Sequence, residues 1–217
     1  MDVLAENEKV FSKEIVLELR ESETLAEREA LLERIRTDKE KAFDGLFEQY
    51  HSMVFHLAFR ILGDREEALD VSQEVFFTIY RKMHRFRGES SLKTWIFRIA
   101  INRASNRCRW WKRLRRRGTV SLDEHLGRNR NPDLSETLEA EGNSPEDALL
   151  LQEKRSEIER WLLRLPIHQR IAVVMRDVEG MSYEDIAEAM QVSLGTVKSR
   201  IARGREELKR RLNGELG

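Results

Sequence analysis

Residues 182–212, SYEDIAEAMQVSLGTVKSRIARGREELKRRL, decide the fold. Ser182 offers its side-chain oxygen to the backbone N–H three residues on, where Asp185 stands, a variant of the capping box that starts a helix. Ile186, Ala187 and Met190 then share the buried side of that helix. Gln191 to Ser193 make a turn, and Ser193 caps a second helix. At about 100° per residue, Val197, Ile201, Gly204 and Leu208 fall in one stripe that faces a core. Lys198, Ser199, Ala202 and Arg203 face outward together, with Thr196 and Arg200 beside them. Such a face suits the major groove of duplex DNA, where Lys and Arg reach guanine acceptors and Ser reaches phosphate or base. Arg200 and Arg205 flank the stripe, placed for phosphates. A plain helical hairpin with a solvated basic face fits the same residues.

Working upstream, a helix is predicted from Glu146 to about Leu165, then a break at Pro166 and a helix from Gln169 to Glu179 stopped by Gly180. Between Gly118 and Pro145 the apolar periodicity vanishes. Residues 118–153 hold nine acidic and two basic groups, so this stretch reads as a flexible acidic linker. Before it, Ala42, Phe43, Leu46, Phe47, Tyr50, Val54, Leu57, Ala58, Ile61 and Leu62 mark one buried helical face, ended by Gly63. A second helix runs from about Arg65 to Phe86, burying Ala68, Val71, Val75, Phe76, Ile79 and Met83. A third runs from about Leu92 to Arg117, with Ile96, Leu92, Ile99 and Ala100 on its core side. Residues 1–38, with 11 acidic and six basic groups, form a loosely apolar extension of one or two weak helices or a solvated tail. The fold class is all-α: two small helical domains, 39–117 and 146–217, joined by the linker 118–145 and preceded by the extension 1–38.

The formal net charge of zero, from 39 basic and 39 acidic residues, conceals a polar division. Residues 83–117 hold 12 basic groups against one acidic group. On the third helix Arg98, Asn102, Ser105 and Arg109 stack on one face, Trp95 borders it, and Trp110 and Trp111 lie beyond among further cations. Rings set among cations suit unstacked bases and a single-stranded backbone. Binding there should fall steeply with salt. Trp95 fits an ordinary core position equally. On the second helix Asp70, Gln73, Glu74 and Phe77 line one face at helical spacing, with Tyr80 a turn farther. That stripe is either a solvated face or a seat for a protein partner.

Other classes are excluded or disfavoured. The single cysteine, Cys108, makes no intrachain disulfide, and no Cys/His cluster has zinc spacing. No phosphate loop, dinucleotide fingerprint, nucleophile elbow or metal pair is present, so neither an enzyme nor a cofactor is expected. His51, His56 and His168 fit core or surface roles. The acidic N-terminus lacks a signal peptide's apolar core, and no run of about 18 apolar residues spans a bilayer, so no membrane insertion and a cytoplasmic location are expected.

Two segments, ALDVSQEVFFTIYRKMHRFRGESSLKTWIFRIAINRASNR at 68–107 and LPIHQRIAVVMRDVEGMSYEDIAEAMQVSLGTVKSRIARGREEL at 165–208, strongly resemble a bacterial extracytoplasmic-function (ECF) sigma factor of the sigma-70 family. The likeness covers about 40–117 and 146–212, in the same order and with a matching gap. It implies a subunit that binds core RNA polymerase, directs it to promoter DNA and helps melt the duplex. Asp70, Gln73 and Glu74, with Phe77, would then dock on the polymerase. Phe86, Arg87, Ser90, Lys93, Thr94 and Trp95 would lie near a flipped base of the melted −10 element, with Arg98, Asn102, Ser105 and Arg109 along the strand. Thr196, Lys198, Ser199, Arg200 and Arg203 would read the duplex −35 element. The linker would thread the polymerase's cleft, and an anti-sigma factor is an expected partner. The acidic extension 1–38 would mask the basic block until polymerase displaces it. Gly204 departs from the alanine usual at its place in the family's last helix, a loss of about 1 kcal/mol unless close packing needs it. Two other classes stay open, a stand-alone helix-turn-helix regulator and a general single-strand-binding protein.

Overall fold

The computed structural model describes residues 25–116 and 156–213, and among these every regular element is helical. The first 24 residues of the extension and the predicted linker lie outside the described residues. Helix α1 spans Leu25–Thr37, α2 Lys39–Leu62, α3 Arg65–Lys82 and α4 Leu92–Arg116. After the gap come α5 over 156–164, α6 Ile167–Val173, α7 Tyr183–Met190 and α8 Leu194–Leu212.

The starts and stops follow from side-chain chemistry. Asp38 accepts from the Lys41 backbone N–H at 3.1 Å, and Asp64 from that of Glu67 at 2.9 Å, satisfying donors that a helix start leaves orphaned. Gly63, at φ 76°, ends α2 in the left-handed region, and its N–H bonds the Phe59 carbonyl. Helix α3 ends at Lys82 rather than near Phe86. A 3₁₀ turn, Met83–Arg85, follows it, and Phe86 turns extended with its ring buried in the core.

Three apolar faces close the first bundle. Val54, Leu57 and Ile61 of α2 meet Val71, Val75 and Ile79 of α3 and Ile96, Phe97 and Ala100 of α4, all buried. Phe97 takes the central place there, while Ile99 is only half-buried. Phe47, expected inside, is 45% exposed; it stacks on His51 at 5.2 Å and meets Phe76 edge-on at 4.9 Å. Helix α1 lies against α2 with Ile35 buried, so part of the extension joins the core.

In the second half Pro166 caps α6, whose fixed backbone dihedral suits a helix start, so α6 begins two residues before Gln169. The helix then widens into a π turn over Val174–Val178, closed by Glu179 N–H to the Val174 carbonyl at 3.0 Å. The predicted stripe Val197, Ile201, Gly204 and Leu208 is buried along its whole length.

Gly204 is accounted for by contact. A Cβ there would stand 2.6 Å from Val173 Cγ2 on α6, closer than side-chain carbons tolerate. Gly45 in α2, by contrast, is exposed, with nothing within 4 Å of the corresponding position. Gly45→Ala should therefore raise stability by about 1 kcal/mol through helix propensity. Gly204→Ala should lower it by about 1 kcal/mol, because overpacking of roughly 1–3 kcal/mol exceeds the same propensity gain. Urea unfolding of the two variants checks the opposite signs.

Candidate nucleic-acid interface

Helix α8 is held at its start by Ser193, whose hydroxyl lies 2.8 Å from the Thr196 hydroxyl and accepts from the Thr196 backbone N–H. Ser199 donates to the Thr196 carbonyl at 3.0 Å, so Thr196 and Ser199 have their hydroxyls engaged along the helix. Lys198, Ser199 and Arg203 are exposed on one face; Thr196 and Arg200 are half-buried at its border. Arg205 is taken up by a bidentate ion pair to Asp177, with Nε to Oδ2 at 3.0 Å, which leaves it less available to a phosphate than its spacing suggested.

The basic block on α4 presents two zones. Asn102 and Arg109 are exposed and Ser105 half-buried, while Trp110 and Trp111 meet edge-to-face at 4.8 Å beyond them. At the start of α4, Ser91 caps the helix by accepting from the Thr94 N–H at 3.0 Å. Trp95 leans on buried Phe86 with ring centres 5.5 Å apart, so both readings of Trp95 hold in part: one side packs, the other stays half-open. Arg87 is exposed and Ser90 buried.

The second half of the chain covers this zone. Thr94, 1% exposed, donates its hydroxyl to Asp185 Oδ1 at 3.0 Å. Lys93 donates to the Glu179 carbonyl at 3.0 Å, and Arg98 pairs with Glu188 at 3.6 Å. Burial pushes the Lys93 ammonium below its ordinary pKa, with Glu179 and Asp185 partly offsetting the shift. Burial likewise raises the Glu179 carboxyl, against the opposing pull of Arg60 at 3.4 Å and of Lys93. Arg170 anchors the same seam: its guanidinium donates to the carbonyls of Ile61, Leu163 and Leu165. Its charge thereby meets the open carbonyl end of α2.

On α3, Asp70, Gln73 and Phe77 point outward; Phe77 is 63% exposed and Leu69, not expected from the sequence, 43%. Glu74 is tied inward. Its carboxylate accepts from Arg107 at 2.8 Å and from Arg103 at 3.2 Å, and Arg107 also pairs with Glu67. The stripe is thus a fixed ridge of α3 braced by two cations of α4. Among the described residues no cluster of His, Cys, Asp or Glu has the arrangement to hold a metal ion, and no helix is long and apolar enough to cross a membrane.

A family described as "Sigma-70 region 2" matches residues 46–117, and one described as "Sigma-70, region 4" matches residues 155–208. The RNA polymerase sigma-H factor of Pseudomonas aeruginosa is 38% identical over 200 residues, covering 87% of this chain and 95% of that protein. The chain belongs to the sigma-70 family of RNA polymerase sigma factors. Within it, the chain groups with the ECF type: the ECF RNA polymerase sigma-E factor of Escherichia coli K12 is 35% identical over 187 residues, 86% of this chain and 94% of that one. The sigma factor's fold is shared with the solved structure of RpoE in complex with the anti-sigma factor NepR from Bartonella quintana. That likeness has a TM-score of 0.63 and 22% identity, over 80% of this chain and 98% of that one.

Promoter-specific initiation of transcription is the function of this sigma factor, exercised together with core RNA polymerase on promoter DNA. Region 2 contains most of α2 with α3 and α4, and region 4 contains α5 through most of α8. Sequence reasoning missed Leu69, Arg170 and the Glu179 to Glu188 segment. The first had a signal, since it follows the stripe's edge; the others gain their roles only through partners far along the chain.

Proposed function

We propose that this sigma factor divides promoter recognition between two surfaces. Helix α8 reads the duplex −35 element, with Lys198, Ser199 and Arg203 toward base edges and Thr196 and Arg200 toward phosphates. The start of α4 with its preceding loop, Phe86, Arg87, Ser90, Lys93, Thr94 and Trp95, receives a flipped base of the −10 element. Arg98, Asn102, Ser105 and Arg109 follow the melted strand along α4. The observation that carries this division is the contrast between the two surfaces. One is a single exposed helical face without aromatic rings; the other is a cation-rich helix with a half-open tryptophan against a buried phenylalanine. Extruding a base costs a few kcal/mol of unpairing, which a ring and a lined pocket offset and a flat groove-reading helix does not.

Core polymerase docks on Asp70, Gln73 and Phe77, with Glu74 bracing the ridge. Residues 39–117 form the −10 and polymerase-binding domain and 146–217 the −35 domain, with 118–145 as their tether and 1–38 as an added acidic extension. The protein acts in the cytoplasm, by binding energy rather than bond chemistry. An anti-sigma factor binds and controls it, in the way that the related RpoE is held in a complex with its anti-sigma factor NepR. Arg203→Ala should reduce −35 discrimination by about 1–3 kcal/mol. Promoter selection by holoenzyme carrying that variant, with unchanged preference at every −35 position, would refute the assignment of the reading face.

A further inference from the structure

The seam between the two halves is made of the groups assigned to the melted strand, and any competition for those groups rests on that assignment. Three donors of α4 are each met by an acceptor from one short segment that leads into and forms α7. The Lys93 ammonium meets the Glu179 carbonyl, the Thr94 hydroxyl meets the Asp185 carboxylate, and the Arg98 guanidinium meets the Glu188 carboxylate. An ammonium, a hydroxyl and a guanidinium facing oxygen acceptors, two of them anionic, is the pairing a nucleic-acid strand would make with the same groups.

We propose that the segment Glu179–Glu188 is an internal competitor for the melted −10 strand: it occupies Lys93, Thr94 and Arg98 in the free protein, so the strand gains access only when the halves part. The occlusion is physical as well as electrostatic, since Thr94 is buried and a Cβ on Gly63 would lie 2.6 Å from Leu163 across the seam.

The seam is also built to open. Arg98 and Glu188 remain about a third or more exposed, so their attraction is screened by water and weakened by salt. The buried Arg60–Glu179 pair gains attraction at the expense of desolvating both charges. Beside them lies an opposing force. His168 of α6 sits among Arg200 of α8 and Arg109 and Lys112 of α4, and burial with these cations holds its imidazole below the ordinary pKa. Parting the halves relieves that repulsion, and it frees Arg109 for the strand at the same time as Arg98.

The test uses the full chain. Donor and acceptor dyes at Glu66→Cys and Asn213→Cys, in a Cys108→Ser background, report whether the halves are together. A fluorescein-labelled single strand spanning the −10 element of a promoter mapped from transcript 5′ ends reports strand binding without polymerase. The Glu179→Gln, Glu188→Gln pair should lower energy transfer and raise strand affinity at least tenfold, and adding Arg98→Ala should remove the gain. Glu188→Gln alone, which spares the buried pair and hence the fold, should give a smaller change of the same sign. Glu184→Gln, Glu206→Gln carries the same charge change at exposed positions away from the seam and should stay within twofold of the parent.

Unchanged strand affinity in the opened variant, or a rise without loss of energy transfer, overturns the proposal. A matching rise in the control pair overturns it too, since charge alone would then suffice. Arg98→Ala in reconstituted holoenzyme separates the two levels of failure. If it still weakens −10 selection, the strand assignment stands and only the internal competition is wrong; if it does not, the assignment fails as well.

Discussion

Phe77→Glu combined with Gln73→Ala should lower affinity for core RNA polymerase about a hundredfold, near 2.7 kcal/mol, with the unfolding temperature little changed. Phe77 is a large apolar side chain that the fold leaves 63% exposed, so its contribution to the chain's own stability is small. Seated in a partner's pocket the same ring becomes an anchor, and a carboxylate in its place would be buried without a counter-ion. Glu74→Ala should act differently. It releases Arg103 and Arg107 from their shared carboxylate, loosening α3 against α4, and so should weaken both docking and the fold. Titration of labelled sigma factor against core polymerase measures the effect. An affinity within threefold of the parent for the double variant would remove the α3 ridge from the docking surface.

Arg170→Met should lower the protection of the second domain against amide exchange by about 3 kcal/mol, roughly 150-fold, across residues 186–208. The guanidinium is 9% exposed and serves three carbonyls, those of Ile61, Leu163 and Leu165. Methionine fills the volume but leaves these acceptors dry and unpaired, and each unpaired buried acceptor costs about 1–3 kcal/mol. Arg170→Lys should recover only part of the loss, because a single ammonium lacks the planar fork that reaches acceptors on two sides. Exchange protection within a factor of five of the parent in the Met variant would show that water takes over these carbonyls and that the arginine is not structural.

The helix-turn-helix was legible because its information is local. Ser182 and Ser193 signal their helices within three residues, and the spacing of Val197, Ile201, Gly204 and Leu208 needs only the period of the helix. The end of α3 was not legible. Periodicity carried Met83 and Phe86 along as helical, whereas the structure buries both by tightening into a 3₁₀ turn and then extending. The π turn after Val173 is likewise invisible to a count based on 3.6 residues.

At the sites, face assignment succeeded and pairing did not. Glu74 was placed on an outward stripe, and it does sit on that helix face, yet two arginines some 30 residues on draw its carboxylate across to α4. Thr94 and Asp185 stand 91 positions apart, a relation that no window along one helix can reveal. Gly204 marks the boundary between the two kinds of information. Its identity was conspicuous in the sequence, and its reason, the approach of Val173, belongs to a different helix.

The most direct test of the account is transcription by purified core polymerase on a genomic template library, with and without the chain, read by mapping transcript 5′ ends. Addition of the chain should concentrate starts at a limited set of sites that share one −35 and one −10 sequence at a constant separation. Starts distributed as they are with core polymerase alone would contradict it.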